Sequence, residues 1–223
     1  MTRPLAIFLY SRTGNAARPW AEAGYECLCV DAAHSIRAGD AGRVEEVGDG
    51  LLRFVWGDAR SWTPPEGRRP LFVGVESPCT DLAGSGARDF SRKGLALLCD
   101  GLALFSAGYT VASWSGAPFY CENPVGVVST HFRRPDHTFD PCDFAGYADD
   151  PAAEAYTKRT CLWVGNGFVM PEKRPVPPVH ASKMHRLPPS PERQALRSAT
   201  PLGFARAVFL ANHRPAIPCG VAA

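Results

Sequence analysis

Leu5-Ala6-Ile7-Phe8-Leu9-Tyr10 is six apolar residues in a row, and Ser11-Arg12-Thr13-Gly14-Asn15 turns the chain directly after them. An unbroken apolar run of this length predicts a strand buried on both faces, the kind found in parallel sheets. A helical stretch follows to Ala23, where Gly24 stops it. The pattern then recurs. Residues 26–30 predict a second strand ending at Asp31, and residues 51–56 a third closed by Gly57-Asp58. Residues 71–75 predict a fourth. A helix is expected over 93–106, ending before Gly108, and a fifth strand at Phe119-Tyr120-Cys121 leads into Glu122-Asn123-Pro124. Strands alternating with helices imply an α/β fold: a parallel Rossmann-like sheet with right-handed crossovers and helices on both faces.

Past Glu122 the texture changes. Residues 130–160 are rich in Pro, Asp and aromatics and predict loops, with one short strand over 160–164. Seven prolines between 171 and 191 exclude much helix there. Thr200 then reads as an N-cap and Pro201 as the first position of a last helix reaching about Asn212. The expected organisation is a core over 1–171, a Pro-rich basic insertion over 172–197, a final helical segment over 198–214 and a tail over 215–223.

The 223 residues suffice for one full core, and 45% hydrophobic with 21% charged residues is an ordinary globular balance. No apolar run in the sequence approaches the ~20 residues of a membrane span, and the N-terminal segment lacks the features of a secretory signal. A cytoplasmic protein with no membrane partner is expected. The eight cysteines include no CxxC pair, and most lie inside apolar runs as small buried hydrophobes. His131, His137 and Cys142 are too loose a set to predict a metal. The net charge of +2 conceals an asymmetry, because residues 172–214 carry eight Lys or Arg against two acids. A basic section on an acidic body suits a polyanion as well as it suits a solvated surface.

Polar groups gather where the strands end. Asp31, Asp58, Cys79 and Glu122 all fall at predicted carboxyl ends, where ligands bind in open α/β sheets. Asp31 suits the hydroxyls of a ribose, and Asp58 the amino group of an adenine. The turn over Tyr10, Ser11, Thr13, Gly14 and Asn15 has one glycine, a weak phosphate loop in isolation. Cys79, in Glu76-Ser77-Pro78-Cys79, is a strand-end thiol ahead of a glycine-rich loop. A thiol paired with a carboxyl group, rather than with histidine, suits attack on a pyrimidine ring. The thiolate adds to carbon 6 while the acid serves ring nitrogen 3. The cations of Thr157-Lys158-Arg159-Thr160 would hold a carbonyl or a phosphate.

In this order the set resembles the DNA cytosine carbon-5 methyltransferases. Residues 9–15, continued by Ala23-Gly24-Tyr25-Glu26, look like the first cofactor motif. Asp31 and Gly57-Asp58 stand at the ribose and adenine positions. Ser77-Pro78-Cys79 with Gly84 and Gly86 looks like the nucleophile motif and its mobile loop, and Glu122-Asn123 like the Glu-Asn-Val motif. Thr157-Lys158-Arg159 is similar to the Gln-x-Arg-x-Arg motif, and Ser198-Ala199-Thr200-Pro201 to the final Asn-Ala-Val-Pro motif. The likeness spans nearly the whole chain.

The resemblance implies S-adenosyl-L-methionine as cofactor and DNA, duplex or single-stranded, as partner. It makes Cys79 the nucleophile, Glu122 the acid, Asn123 the residue orienting the loop, and Arg159 a holder of base or phosphate. Lys158 and Ser85 join the substrate side; Tyr10, Ser11, Thr13, Gly14, Asn15, Asp31, Asp58, Pro78, Ser198 and Thr200 join the cofactor side. Four departures stand out. Arg12 and Asn15 replace family glycines, Pro124 replaces Val, Cys161 replaces the second Arg of the basic motif, and the large target-recognition domain is missing. In that respect the chain looks like compact proteins encoded by phages and prophages. Two alternatives stay open: the same chemistry on a free or single-stranded pyrimidine nucleotide or with another transferred group, and a non-catalytic DNA-binding or regulatory protein.

Overall fold

The structure is a computed structural model that describes residues 2–35, 39, 41–179 and 198–213. Most of the Pro-rich insertion and the tail expected over 215–223 lie outside the described residues.

Five strands run parallel: β1 (Leu5–Leu9), β2 (Glu26–Asp31), β4 (Gly50–Trp56), β5 (Phe72–Glu76) and β6 (Phe119–Pro124). Three more run antiparallel to their neighbours: β3 (Val44–Val47) beside β4, β8 (Thr160–Gly165) beside β6, and β7 (His137–Phe139) beside β8. The order is β3-β4-β2-β1-β5-β6-β8-β7. The sheet is therefore mixed, where a parallel one was expected. The reason at one edge is local: β3 and β4 are joined by the two residues Gly48-Asp49, a hairpin that forces antiparallel pairing, with Gly48 at φ +57°. At the other edge β8 is the short strand expected over 160–164, while β7 arises inside the region read as loops. Three-residue β7 is too short to show an alternation.

Strand alternation divides the core into two layers. Phe8, Cys29, Phe54, Phe72, Tyr120 and Leu162 face α1 (Arg18–Glu22), whose Trp20 stacks on Phe72 at 4.4 Å. Ile7, Val30, Val75, Cys121 and Trp163 face the opposite way, where α2 (Phe90–Trp114) docks through Phe105, Gly108 and Ala112. Two short helices follow, α3 (Val128–His131) and α4 (Pro151–Glu154), before α5 (Leu202–Asn212), which lies on the α1 side. Helices thus cover both faces, as expected.

Helix α2 outruns its expected span because Gly108 does not stop it. A Cβ there would lie 2.6 Å from Val75 Cγ1 and 3.0 Å from the Tyr10 ring, so glycine permits close docking of helix on sheet. Together with the preceding turn, α2 is long and apolar enough to cross a membrane by length and composition. Helix α5 also begins differently from expectation. Pro201 is its N-cap, and the Glu154 carboxylate accepts from the amides of Leu202 (3.1 Å) and Gly203 (3.3 Å). This anion satisfies the orphan N–H groups of the first turn and leaves the Thr200 side chain for another partner.

From β1 the chain moves outward to β2 and β4, then crosses back to β5. The carboxyl ends of β1 and β5 therefore flank a topological switch point, the usual position of a ligand crevice.

Candidate active site

The Cys79 loop is tied to the end of β6. Ser77 is buried, and its hydroxyl donates to the Glu122 carbonyl at 3.2 Å. Asn123 Nδ2 donates to both the carbonyl and the hydroxyl of Ser77, each at 3.2 Å. Cys79 follows two residues later, within a chain reach of about 7 Å, and is half-buried. Its carbonyl accepts from the amides of Leu82 (3.1 Å) and Ala83 (2.9 Å), which closes a turn. Lys93 Nζ donates to the Thr80 carbonyl at 2.6 Å and pairs with Asp81 at 2.8 Å. The amide of Gly84 donates to Val125, and that of Val127 to Leu82. The thiol therefore sits on a loop pinned to the β6 extension and to α2. The glycine-rich segment expected as a mobile loop forms a 3-10 helix over Gly84–Asp89, on which Ser85 is exposed.

Glu76 and Glu122 are in register on neighbouring parallel strands. Both line a narrow recess with Tyr120, Lys158, Thr200 and Phe204. Thr200 Oγ1 donates to Glu76 Oε1, and Tyr120 donates to the same oxygen at 3.4 Å. Burial pushes the Glu76 carboxyl up to about 7, with the Glu122 charge adding to the rise and the Thr200 hydrogen bond opposing it. Burial also raises Glu122, with Lys158 opposing. Such a pair retains a proton close to neutrality, as general-acid chemistry requires. Glu76 received no role from the sequence. The available signal was an acid directly ending a buried apolar strand, level with Glu122 on the next one.

The basic segment divides its two cations. Lys158 lines the recess. Arg159 is mostly exposed and forms a 3.1 Å ion pair with Asp140. The cation that faces the carboxyl pair is thus Lys158, not Arg159. Ser198 and Thr200 line the recess as well, on the segment that leads into α5.

At the β1 edge, Tyr10 turns the chain with φ +62°, and Gly14 follows at φ +73° against the Phe54 ring. The Tyr10 hydroxyl donates to Leu104 in α2 at 2.6 Å, so its ring points to the α2 side. Ser11 is fully buried, and its hydroxyl has no hydrogen-bond partner of ordinary geometry among the described residues. Thr13 is exposed, and its Oγ1 accepts from the Asn15 amide. Asn15 Nδ2 donates to the Thr200 carbonyl at 3.4 Å, linking this turn to the recess. Asp31 Oδ1 accepts from the Ala33 amide at 2.6 Å, and the Gly57 amide donates to the Asp31 carbonyl. Asp58 is engaged on both carboxylate oxygens by Arg60, at 2.6–3.1 Å, and Arg60 also pairs with Asp100. That ion pair holds Asp58 below the usual carboxylate range. Pro78 is exposed beside Cys79.

The chain matches no protein-family model and no curated protein sequence.

The expected residues therefore fall into three groups. Cys79, Glu122 and Asn123 are joined by the Ser77 hydrogen bonds. Glu76, Lys158, Ser198 and Thr200 gather around Glu122 in the recess. Asn15, Asp31 and Asp58 occupy the adjoining edge, and Arg159, paired with Asp140, and the exposed Ser85 are not part of the recess lining.

Proposed function

We propose that this chain is a transferase of the DNA cytosine carbon-5 methyltransferase type, using S-adenosyl-L-methionine. The observation that carries the reading is the Ser77 lock. It ties the strand-end loop of Cys79 to the Glu122-Asn123 step of the next parallel strand. The strand order supports a nucleoside-containing cofactor, since the switch point between β1 and β5 opens beside Asp31.

The residues fit such a cofactor at most of the expected points. Gly14 turns the backbone after β1 at φ +73°, and Asp31 stands at the end of β2 for ribose hydroxyls. Thr200 and Asn15 would close the amino-acid end. At the adenine end, Arg60 holds Asp58 and must yield for that carboxylate to accept a hydrogen bond.

In the proposed reaction the Cys79 thiolate bonds to carbon 6 of cytosine while Glu122 gives its proton to ring nitrogen 3. Electron density moves to carbon 5, which becomes the nucleophile. S-adenosyl-L-methionine, when bound, supplies the methyl group. Loss of the carbon 5 proton to a base and expulsion of the thiolate restore the ring, and Glu122 regains its proton from nitrogen 3. Lys158 balances the charge of the carboxyl pair. In duplex DNA the base must leave the stack to reach Cys79.

Incubation with labelled S-adenosyl-L-methionine and duplex DNA, single-stranded DNA or dCMP tests the proposal, with Cys79→Ser as control. Label on either DNA, absent from the variant, is the expected result. Label on dCMP alone moves the substrate to the free nucleotide. No label on any of the three contradicts the reading.

A further inference from the structure

We propose that the outward face of helix α2 is a self-association surface. A second copy of this chain packs on it antiparallel about a two-fold axis, with Leu95 of each copy against Trp114 of the other. The inference stands apart from the carboxyl recess and does not depend on the transferase reading.

Helix α2 is more apolar than its docking on the sheet requires. It meets the sheet through Phe105, Gly108 and Ala112, yet only 22% of its most apolar 18-residue window is buried. Leu95 is 73% exposed and Trp114 87%. Gly94, at φ +76°, breaks the helix just before Leu95, so the regular stretch runs from Leu95 to Trp114. That stretch carries one charged residue, Asp100, which the Arg60 guanidinium of the same chain holds at 2.5 Å. A face without Lys or Arg suits neither a nucleic acid nor an anionic membrane surface, both of which are met by cations. It suits another uncharged, apolar face.

The residues of this face complement themselves. Leu95, Cys99, Ala103, Ser106, Thr110 and Trp114 follow one another at spacings of three or four, so they line one side of the helix, and all six are exposed. In an antiparallel pair Leu95 meets Trp114, Cys99 meets Thr110, and Ala103 meets Ser106. Each contact occurs twice, as a two-fold interface requires. Large side chains face large ones at both ends, and small face small in the centre, where the helix axes can approach to about 8 Å. A seat for the indole is present as well: a recess of about 360 Å³ beside Leu95, lined in part by Asp81, Phe90 and Leu98. Asp81 and its partner Lys93 moor the Cys79 loop, so an indole seated there rests against that loop. The six side chains expose roughly 600 Å² per copy, about 1,200 Å² in the pair, the lower end of specific interfaces. The dimer is therefore weak and reversible, with a dissociation constant on the order of 10 μM.

Sedimentation velocity of the full-length protein between about 1 and 200 μM, without cofactor or nucleic acid, tests this. Wild type should pass from monomer to dimer across that range. Leu95→Glu and Trp114→Lys, both at exposed positions, should each raise the dissociation constant at least tenfold with the circular-dichroism spectrum unchanged. Mixing the two variants should restore a heterodimer, because the new carboxylate then faces the new ammonium in one of the two end contacts. Leu210→Glu, at an exposed position of α5 across the sheet, should leave association unchanged. Monomer at every concentration, or a dimer that Leu95→Glu and Trp114→Lys leave intact, overturns the proposal. A mixture that fails to associate overturns the antiparallel pairing. A protein that stays monomeric and instead co-sediments with vesicles of phosphatidylcholine and phosphatidylglycerol would assign the face to a membrane. With no substrate present, none of these outcomes bears on the transferase reading.

Discussion

Thr200 Oγ1 donates a hydrogen bond to Glu76 Oε1 across 124 positions of sequence. That contact joins the segment entering α5 to the carboxyl end of β5. Because Asn15 Nδ2 reaches the Thr200 carbonyl, the same residue also touches the turn after β1. Thr200 thus couples the expected cofactor turn to the carboxyl pair. Its side chain is available for this because Glu154 caps the helix.

The Glu76 carboxyl makes stability fall as pH rises. Its folded value is raised from 4.5 to about 7, so the folded state holds a proton that the unfolded state has already released. The contribution is complete below about 4.5 and is lost as pH climbs through about 7. Denaturant unfolding should show a loss of roughly 3 kcal/mol across that window. Glu76→Gln should flatten this slope and exceed wild type in stability above neutral pH.

Glu26 works with the opposite sign. It accepts from Arg53 at 2.5 Å and from Arg68 at 2.6 Å, and these partners hold its carboxyl below the ordinary value against the opposing effect of burial. Stability from this group is present above about 4.5 and is lost as pH drops through its folded value. Both arginines are partly exposed, so Glu26→Gln should cost only about 1–2 kcal/mol at neutral pH. Unfolding curves of the variant should converge with wild type in acid.

Gly108 is a packing position inside a helix, and substitution by valine tests this. Side-chain atoms there meet Val75 and Tyr10 at 2.6–3.0 Å from the Cβ onward. Overpacking should destabilise the protein by about 2–3 kcal/mol, although valine is otherwise acceptable in a helix. Thermal unfolding measures it, and a neutral result would contradict the observed docking of α2.

Asn123→Ala removes two hydrogen bonds to Ser77 and should cost about 2 kcal/mol in denaturant unfolding. With Ser77 held only by its hydroxyl bond to the Glu122 carbonyl, methyl transfer should drop at least tenfold, chiefly in kcat, because the Cys79 loop is less firmly registered with Glu122. An unchanged kcat with the same loss of stability would assign Asn123 a structural role only.

The central strands were legible because burial on both faces leaves unbroken apolar runs, as at Leu5–Leu9 and Phe72–Glu76. Glycine misled where packing outweighs propensity: Gly108 reads as a stop and sits buried within α2. Of the antiparallel strands, β8 was legible over 160–164, whereas β3 and β7 were hidden for another reason. β7 has three residues, and Val44–Val47 is a four-residue edge in which two glutamates interrupt the apolar signal. In the site, Cys79, Glu122 and Asn123 were legible from residue type and order. Glu76 and the split between Lys158 and Arg159 were not, since both depend on strand register and on which side a short basic segment faces.

The most direct test of the transferase reading is covalent trapping. DNA containing 5-fluorocytosine is incubated with the protein and S-adenosyl-L-methionine, and the product is resolved under denaturing conditions and mapped by peptide mass. Fluorine at carbon 5 cannot leave as a proton does, so the thiolate cannot be expelled after transfer. A DNA adduct on the Cys79 peptide, absent in Cys79→Ala, is the predicted result. An adduct at another residue, an adduct retained by Cys79→Ala, or no adduct at all contradicts the assignment of Cys79 as the nucleophile.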